Sequence, residues 1–363
     1  MFLAWNEIRY SKLRYSLIVG VMFLIAYLVF FLTGLAFGLA QDNRTAVDKW
    51  NADGIILSEE SNANINMSML PIKMENEVKG KEVAILGQTA GVIQRTDDEK
   101  KDEKIDVRFF GIHPDEFLMP EVTEGRAFTK DNEAIADSSL KEENNIQLND
   151  TVKLAGSEEI IKIVGFTSNA KFSVAPVLYT TVDTYQKLRF EKVDTTENAR
   201  VNAIVVRGEN HSLKKVSVSE DTLEIIPIKT FINELPGYNA QVLTFGFMIG
   251  FLIVIAAIVI GIFIYVLTMQ KTMIFGVMKA QGISSRYIAS SVIIQTALLA
   301  FLGVAIGLLG TVGTSLVLPV AVPFESNWLF YGTIAALMLL VAILGAFFSV
   351  RTVVKVDPLK AIG

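Results

Sequence analysis

A chain of 363 residues with 51% hydrophobic content and a mean hydropathy of +0.43 is too apolar for an ordinary soluble protein, yet 20% charged residues are too many for one that lies in a membrane throughout. Membrane spans and a soluble domain must alternate. The net charge of −5 offers no basic surplus to a nucleic-acid partner, and the absence of cysteine excludes a disulfide framework, a thiolate metal site and a cysteine nucleophile.

Residues 1–14, MFLAWNEIRYSKLR, place Phe2, Trp5 and Ile8 about one helical turn apart beside Arg9, Lys12 and Arg14. This predicts an interfacial helix anchored by Trp5, with a simple basic flank that fixes topology as the alternative. The apolar stretch that follows is too long for a cleavable signal. Residues 15–41 are uncharged for 27 positions and form the first predicted span, crowded with Phe23, Tyr27, Phe30, Phe31 and Phe37 and carrying a Gly34–Gly38 pair at G-x-x-x-G spacing.

Residues 42–235 are expected to form an α+β domain. Strand-like runs recur at 53–59, 82–87, 105–112, 151–155, 159–166, 177–182, 201–208 and 223–228, bounded by Gly, Asn, Asp or Ser. Helical stretches are predicted around 66–79, 136–144, 183–190 and 230–235, and TDDEKKDEK at 96–104 reads as a charged hairpin tip. A second span is predicted at 236–269, a third at 287–318 and a fourth at 326–350, with Pro319 and Pro323 marking a short turn between the last two. Each uncharged run exceeds the roughly 20 residues that cross a hydrocarbon core of about 30 Å.

Between spans two and three lies 270–286, QKTMIFGVMKAQGISSR, with Lys271, Lys279 and Arg286 and no acidic residue. Met273, Ile274, Val277 and Met278 recur at helical spacing, so a short surface helix with a face open to a partner is expected, ended by Gly282. Segments 1–14, 270–286 and the tail 351–363 together hold nine Lys and Arg against two acidic residues, whereas 42–234 holds 24 basic and 35 acidic residues. Basic flanks are retained inside, which predicts cytoplasmic termini and an extracytoplasmic domain on a multi-pass protein of the bacterial cell membrane.

Little points to catalysis. His113 and His211 are nearly a hundred residues apart with no second ligand at metal spacing, Ser138, Ser139 and Ser168 lack a nucleophile-elbow pattern, and no G-x-x-x-x-G-K-[ST] occurs. The chain is expected to have neither catalytic residues nor a metal site nor a nucleotide site of its own.

The order of one span, a large domain and three spans, with FGVMKAQG (275–282), VDPLKAIG (356–363) and EGRAFTKDNEAIADSSL (124–140), resembles the FtsX-like, MacB-type permeases of ABC transporters. WNEIR (5–9), DKWNADGI (48–55), RVNAIVVR (200–207), INELPGYNAQ (232–241) and YVLTMQKTMIFGVMKAQG (265–282) are similar to the haem efflux permeases within that superfamily. The resemblance implies a four-helix membrane protein with a large α+β extracytoplasmic domain in MacB-like topology. It further implies a homodimer, in contact with membrane lipid, with two copies of a separate cytoplasmic ATPase that supplies ATP hydrolysis. Haem would be cargo, moved by mechanotransmission, with no permanently bound cofactor. Phe275, Gly276, Met278, Lys279, Gln281 and Gly282 would couple to the ATPase, Phe275 and Met278 entering a groove on it.

Candidate haem contacts follow from the same resemblance: Trp50, Arg44 and Lys49 after span one, Tyr238 before span two, Phe172 where relatives carry Tyr, and Tyr27, Phe245 and Met248 on the spans. For Trp50 and Tyr238 an interfacial anchor is the alternative reading. An FtsX-like regulator of cell-wall hydrolases, or an exporter of an antimicrobial peptide or lipoprotein, are the alternative functions.

Overall fold

The computed structural model of the chain describes residues 12–96 and 104–354. The expected helix before Lys12, most of the charged tip and the VDPLKAIG motif lie outside the described residues. In chain order the helices are α1 (Lys12–Asp42), α2 (Thr45–Lys49), α3 (Ser139–Asn144), α4 (Val182–Phe190), α5 (Ile228–Asn233), α6 (Tyr238–Gln270), α7 (Thr272–Ala280), α8 (Ser285–Ser315) and α9 (Trp328–Val354). The principal strands are β1 (Gly54–Ser58), β2 (Glu82–Arg95), β3 (Ile105–Ile112), β4 (Glu133–Asp137), β5 (Thr151–Leu154), β6 (Ile160–Thr167), β7 (Lys171–Phe172), β8 (Ala175–Thr181), β9 (Ala203–Arg207) and β10 (Leu223–Pro227). They divide between two units, residues 1–38 with 243–363, and residues 39–242.

The first unit holds four helices long and apolar enough to cross a membrane. In α8, 44% of the most apolar window is buried, against 17% in α6, so α8 is the central helix and α6 leaves most of its surface uncovered. Lipid tails are as apolar as leucine, so close approach rather than water exclusion must hold these helices together. Small residues supply it: a side chain on Gly303 would meet Met22, and one on Gly307 would lie 2.7 Å from the Ala26 Cβ and 2.9 Å from the Tyr27 amide nitrogen. Tyr27 donates or accepts a hydrogen bond with Thr314 at 3.0 Å across the same seam. The Gly34–Gly38 pair is used within the chain. It lets the α8–α9 connection lie against α1, with Phe324 over Gly34, the Pro323 carbonyl over Gly38, and the Glu325 amide donating to Gly34 O at 3.2 Å.

In the second unit the strands close into a six-stranded barrel in the order β2, β3, β8, β4, β6, β5 and back to β2. Closure removes the free sheet edges that would otherwise invite pairing with another chain. Val107, Phe109, Ile161, Ile163 and Leu178 fill the interior. The 14-residue β2 serves two sheets: Glu82–Leu86 pairs with β9, which continues through β1 to β10, while Gly87–Ile93 pairs with β3. A second core, built on Trp50, Phe110, Phe172, Tyr179 and Phe231, packs against the barrel's outer wall.

Two expectations differ from this arrangement. The predicted helix around 66–79 is instead the short strand Leu70–Pro71 followed by a 3-10 turn Ile72–Glu77, because Pro71 lacks the N–H that an α-helix running through it would need. Ala136 and Asp137 belong to β4 rather than to a helix, which begins only at Ser139, where Asp137 Oδ1 accepts the Ser139 amide at 3.0 Å.

One half-buried carboxyl gives this unit an expected pH dependence. Glu116, half-buried, accepts the Ile85 amide at 3.0 Å, and burial, reinforced by Glu75 and Asp115, pushes its carboxyl from 4.5 up to about 7. The folded state then holds this proton more tightly than the unfolded chain. Its contribution is therefore most favourable below pH 4.5 and is lost as pH rises through 7. Glu116→Gln is expected to raise stability at pH 8 by about 1 kcal/mol, after allowing for solvent screening of a half-exposed group, and to flatten the decline between pH 4.5 and 7 in thermal unfolding.

Candidate coupling and substrate sites

The loop between α6 and α8 folds into α7, a nine-residue helix. Gly282 ends it at φ +88°, where the Ile283 amide reaches back to Met278 O and the Gly282 amide to Lys279 O, both at 3.0 Å. This is the Schellman arrangement that a left-handed glycine permits, and it aims the chain into α8, whose first turn is capped by Ser284 accepting the Tyr287 amide. At the other end Lys271 stands at the bend from α6. Its ammonium donates to Tyr15 Oη of α1 at 2.6 Å and to Gln295 Oε1 of α8 at 3.5 Å. The bend is thereby tied to two membrane helices.

The helix has two apolar faces with different neighbours. Phe275, 2% exposed, is buried with Ile288 and Val292 of α8 and Val350 of α9, and Met278 packs on the same cluster. Gly276 is also buried. The expectation that Phe275 enters a partner's groove therefore gives way: its ring is the anchor that holds α7 to its own membrane helices. Met273 (71% exposed), Ile274 (54%) and Val277 (44%) point away, together with Gln281 and Gly282. Lys279 is partly buried. An uncovered apolar strip on a short helix outside the uncharged runs is a surface that suits a protein groove.

The candidate substrate residues do not form one cluster. In the α+β unit Arg44 pairs with Asp48 through two guanidinium nitrogens, Nε–Oδ2 at 2.8 Å and Nη2–Oδ1 at 2.5 Å. That ion pair, with a further contribution from the Tyr238 hydroxyl, raises the Arg44 pKa against the opposing effect of burial. Arg44 and Tyr238 are thus brought together. Lys49 donates to Thr167 Oγ1 at 2.7 Å, and burial lowers its pKa despite Asp137 and Glu121 nearby. Trp50 and Phe172 are fully buried, both against Phe110, at ring-centroid separations of 5.9 and 5.5 Å. They have no face left for a flat ligand in this conformation, and their role here is to pack the core. In the membrane unit Tyr27 stacks on Phe31 at 5.8 Å and bonds Thr314, while Phe245 and Met248 are partly buried on α6. No group of three or more metal-ligating side chains occurs among the described residues.

Comparison with known proteins shows similarity to permeases of ABC transporters. The model of the FtsX-like permease C-terminal region matches residues 246–358, which contain α7, α8, α9 and most of α6. Over all of this chain and 99% of their own length, two staphylococcal proteins named as hemin transport system permeases, HrtB, are similar to it, with 27% identity in Staphylococcus haemolyticus and 25% in Staphylococcus epidermidis. An uncharacterised ABC transporter permease of Mycobacterium tuberculosis is 23% identical over the same extents. The periplasmic region of MacB from Actinobacillus actinomycetemcomitans aligns with 49% of this chain and 90% of its own at a TM-score of 0.33 and 15% identity. With its four helices long and apolar enough to cross a membrane, its α+β unit between the first and second, and a family match over 246–358, the chain is similar to the FtsX-like permeases of ABC transporters.

Proposed function

We propose that this permease exports haem from the membrane as a homodimer driven by two copies of a separate cytoplasmic ATPase, with both termini and α7 in the cytoplasm and the α+β unit outside. The observation that carries the reading is the division of α7 into an anchored face and an uncovered one. The ATPase would seat on Met273, Ile274 and Val277, and Phe275 would pass the displacement to α8 and α9. Lys271 would pass it to α1 through Tyr15. Helices α1 and α6 are the two that continue from the membrane unit into the α+β unit, so the motion would travel along them as a rigid-body change rather than through an alternating cavity.

Haem is supported by the names of the staphylococcal relatives and by its chemistry: a flat apolar body partitions into lipid while its propionates stay at the water interface. Arg44 with Tyr238 offers a cation and a phenol to such a ligand, and Tyr27, Phe245 and Met248 offer apolar contact along the spans. Deleting the gene is expected to make cells sensitive to haem, and restoring it should restore tolerance. Unchanged haem tolerance in the deletion strain, together with no Soret shift when haemin is added to the purified protein, overturns haem as the cargo.

A further inference from the structure

The outer wall of the barrel carries a cleft that the coupling pathway does not use. It is about 490 Å3, within the size range of small-molecule sites, and lies between β2, β3 and the β7–β8 turn. Arg108 stands in it. The alternation along β3 turns Val107 and Phe109 into the barrel and Arg108 outward, beside Ala90 of β2. Its Nε is buried without a hydrogen-bond partner, and no ion pair forms to it among the described residues. Asp106, two residues earlier on the same face, is exposed and is the one acidic group that lines the cleft among the described residues. Burial opposes the Arg108 charge more than Asp106 supports it. The buried Nε–H is thus a donor left without an acceptor, and an anion entering the cleft would supply one.

The far wall is a two-residue turn, Ser173–Val174, in which both residues have positive φ, +49° and +68°. Such a turn ordinarily takes Asn or Gly, and a β-branched residue there is strained. It is held by the Ser173 amide donating to Asn43 O at 3.0 Å and the Val174 amide to Asp42 O at 3.1 Å. The cleft is therefore fixed to the backbone immediately before Arg44. Its remaining walls, Val92, Val174 and Pro176, are apolar.

We propose that this cleft binds the carboxylate of an amphiphile, with Arg108 as counter-ion and Val92, Val174 and Pro176 against the apolar body. Only the porphyrin source of that carboxylate, a haem propionate, rests on the haem-export reading; a fatty acid is the other source. Intact protein in nanodiscs would be titrated with haemin, with haemin dimethyl ester, whose propionates are blocked, and with laurate, using wild type, Arg108→Leu and Arg108→Lys. Arg108→Leu should leave the unfolding midpoint unchanged or higher, since among the described residues the group it removes makes no ion pair and its Nε no hydrogen bond. The expected result is that wild type binds haemin about tenfold more tightly than the ester, that Arg108→Leu abolishes this difference, and that Arg108→Lys retains part of it. Laurate affinity that depends on Arg108 while haemin affinity does not would support the cleft and count against haem. Should no probe depend on Arg108, or should the ester lose as much as haemin in Arg108→Leu, the cleft is not a carboxylate site.

Discussion

Ile274→Glu is expected to abolish the proposed export while leaving the protein folded and inserted. Ile274 is 54% exposed on the face of α7 turned away from Ile288, Val292 and Val350, so a carboxylate there is solvated in the free subunit. In a protein groove it would be buried and unpaired, at a cost of about 3 kcal/mol, or more than about a hundredfold in affinity for the ATPase. Phe275→Ala is the informative contrast. Removing a ring packed on Ile288, Val292 and Val350 leaves a cavity worth about 3 kcal/mol, so it should lower the thermal stability of the purified subunit. Both variants lose export, but only Phe275→Ala should lose stability. Co-purification of the ATPase and a thermal scan distinguish them.

Gly307→Leu is expected to have the largest effect on the membrane unit. Its Cβ would meet the Ala26 Cβ at 2.7 Å and the Tyr27 backbone nitrogen at 2.9 Å, and backbone cannot rotate out of the way. Helices α1 and α8 would have to separate, which would also break the Tyr27–Thr314 hydrogen bond. A destabilisation of about 3 kcal/mol is expected, visible as a fall in the unfolding temperature in detergent. Gly313→Leu on the same helix provides the control: no atom lies within 4 Å of a Cβ there, and its stability should match wild type.

The membrane helices and the α7 stop were legible because each rests on a one-dimensional rule. An uncharged run longer than the bilayer core must span it, and a glycine after a short amphipathic segment ends a helix. The working face of α7 was only partly legible. Met273, Ile274, Phe275, Val277 and Met278 surround more than half of the helix, so periodicity cannot say which side is inward. That is decided by Ile288, Val292 and Val350, up to 75 residues away. Trp50 shows the same limit. Its position after a span suggests an interfacial anchor, whereas Phe110 and Phe231, far along the chain, make it a core residue. Barrel closure was hidden because half of β2, QTAGVIQR, is interrupted by Gly91 and flanked by polar residues, and because EAIAD lacks a β-branched run. Arg108 was visible as a charge inside the strand IDVRFFGI, but nothing in the sequence tells that it has no partner.

The chain contains no cysteine, so a single introduced thiol reports on one position alone. Ile274→Cys and Phe275→Cys, each in an otherwise native complex with the ATPase, separate the two faces of α7 under a short bifunctional thiol-to-amine cross-linker. Efficient cross-linking to the ATPase from position 274 and none from 275 is the result expected if the uncovered face receives the force. Cross-linking from 275 and none from 274 would mean that α7 engages its partner by the face found here against α8 and α9, contradicting the proposed path of transmission.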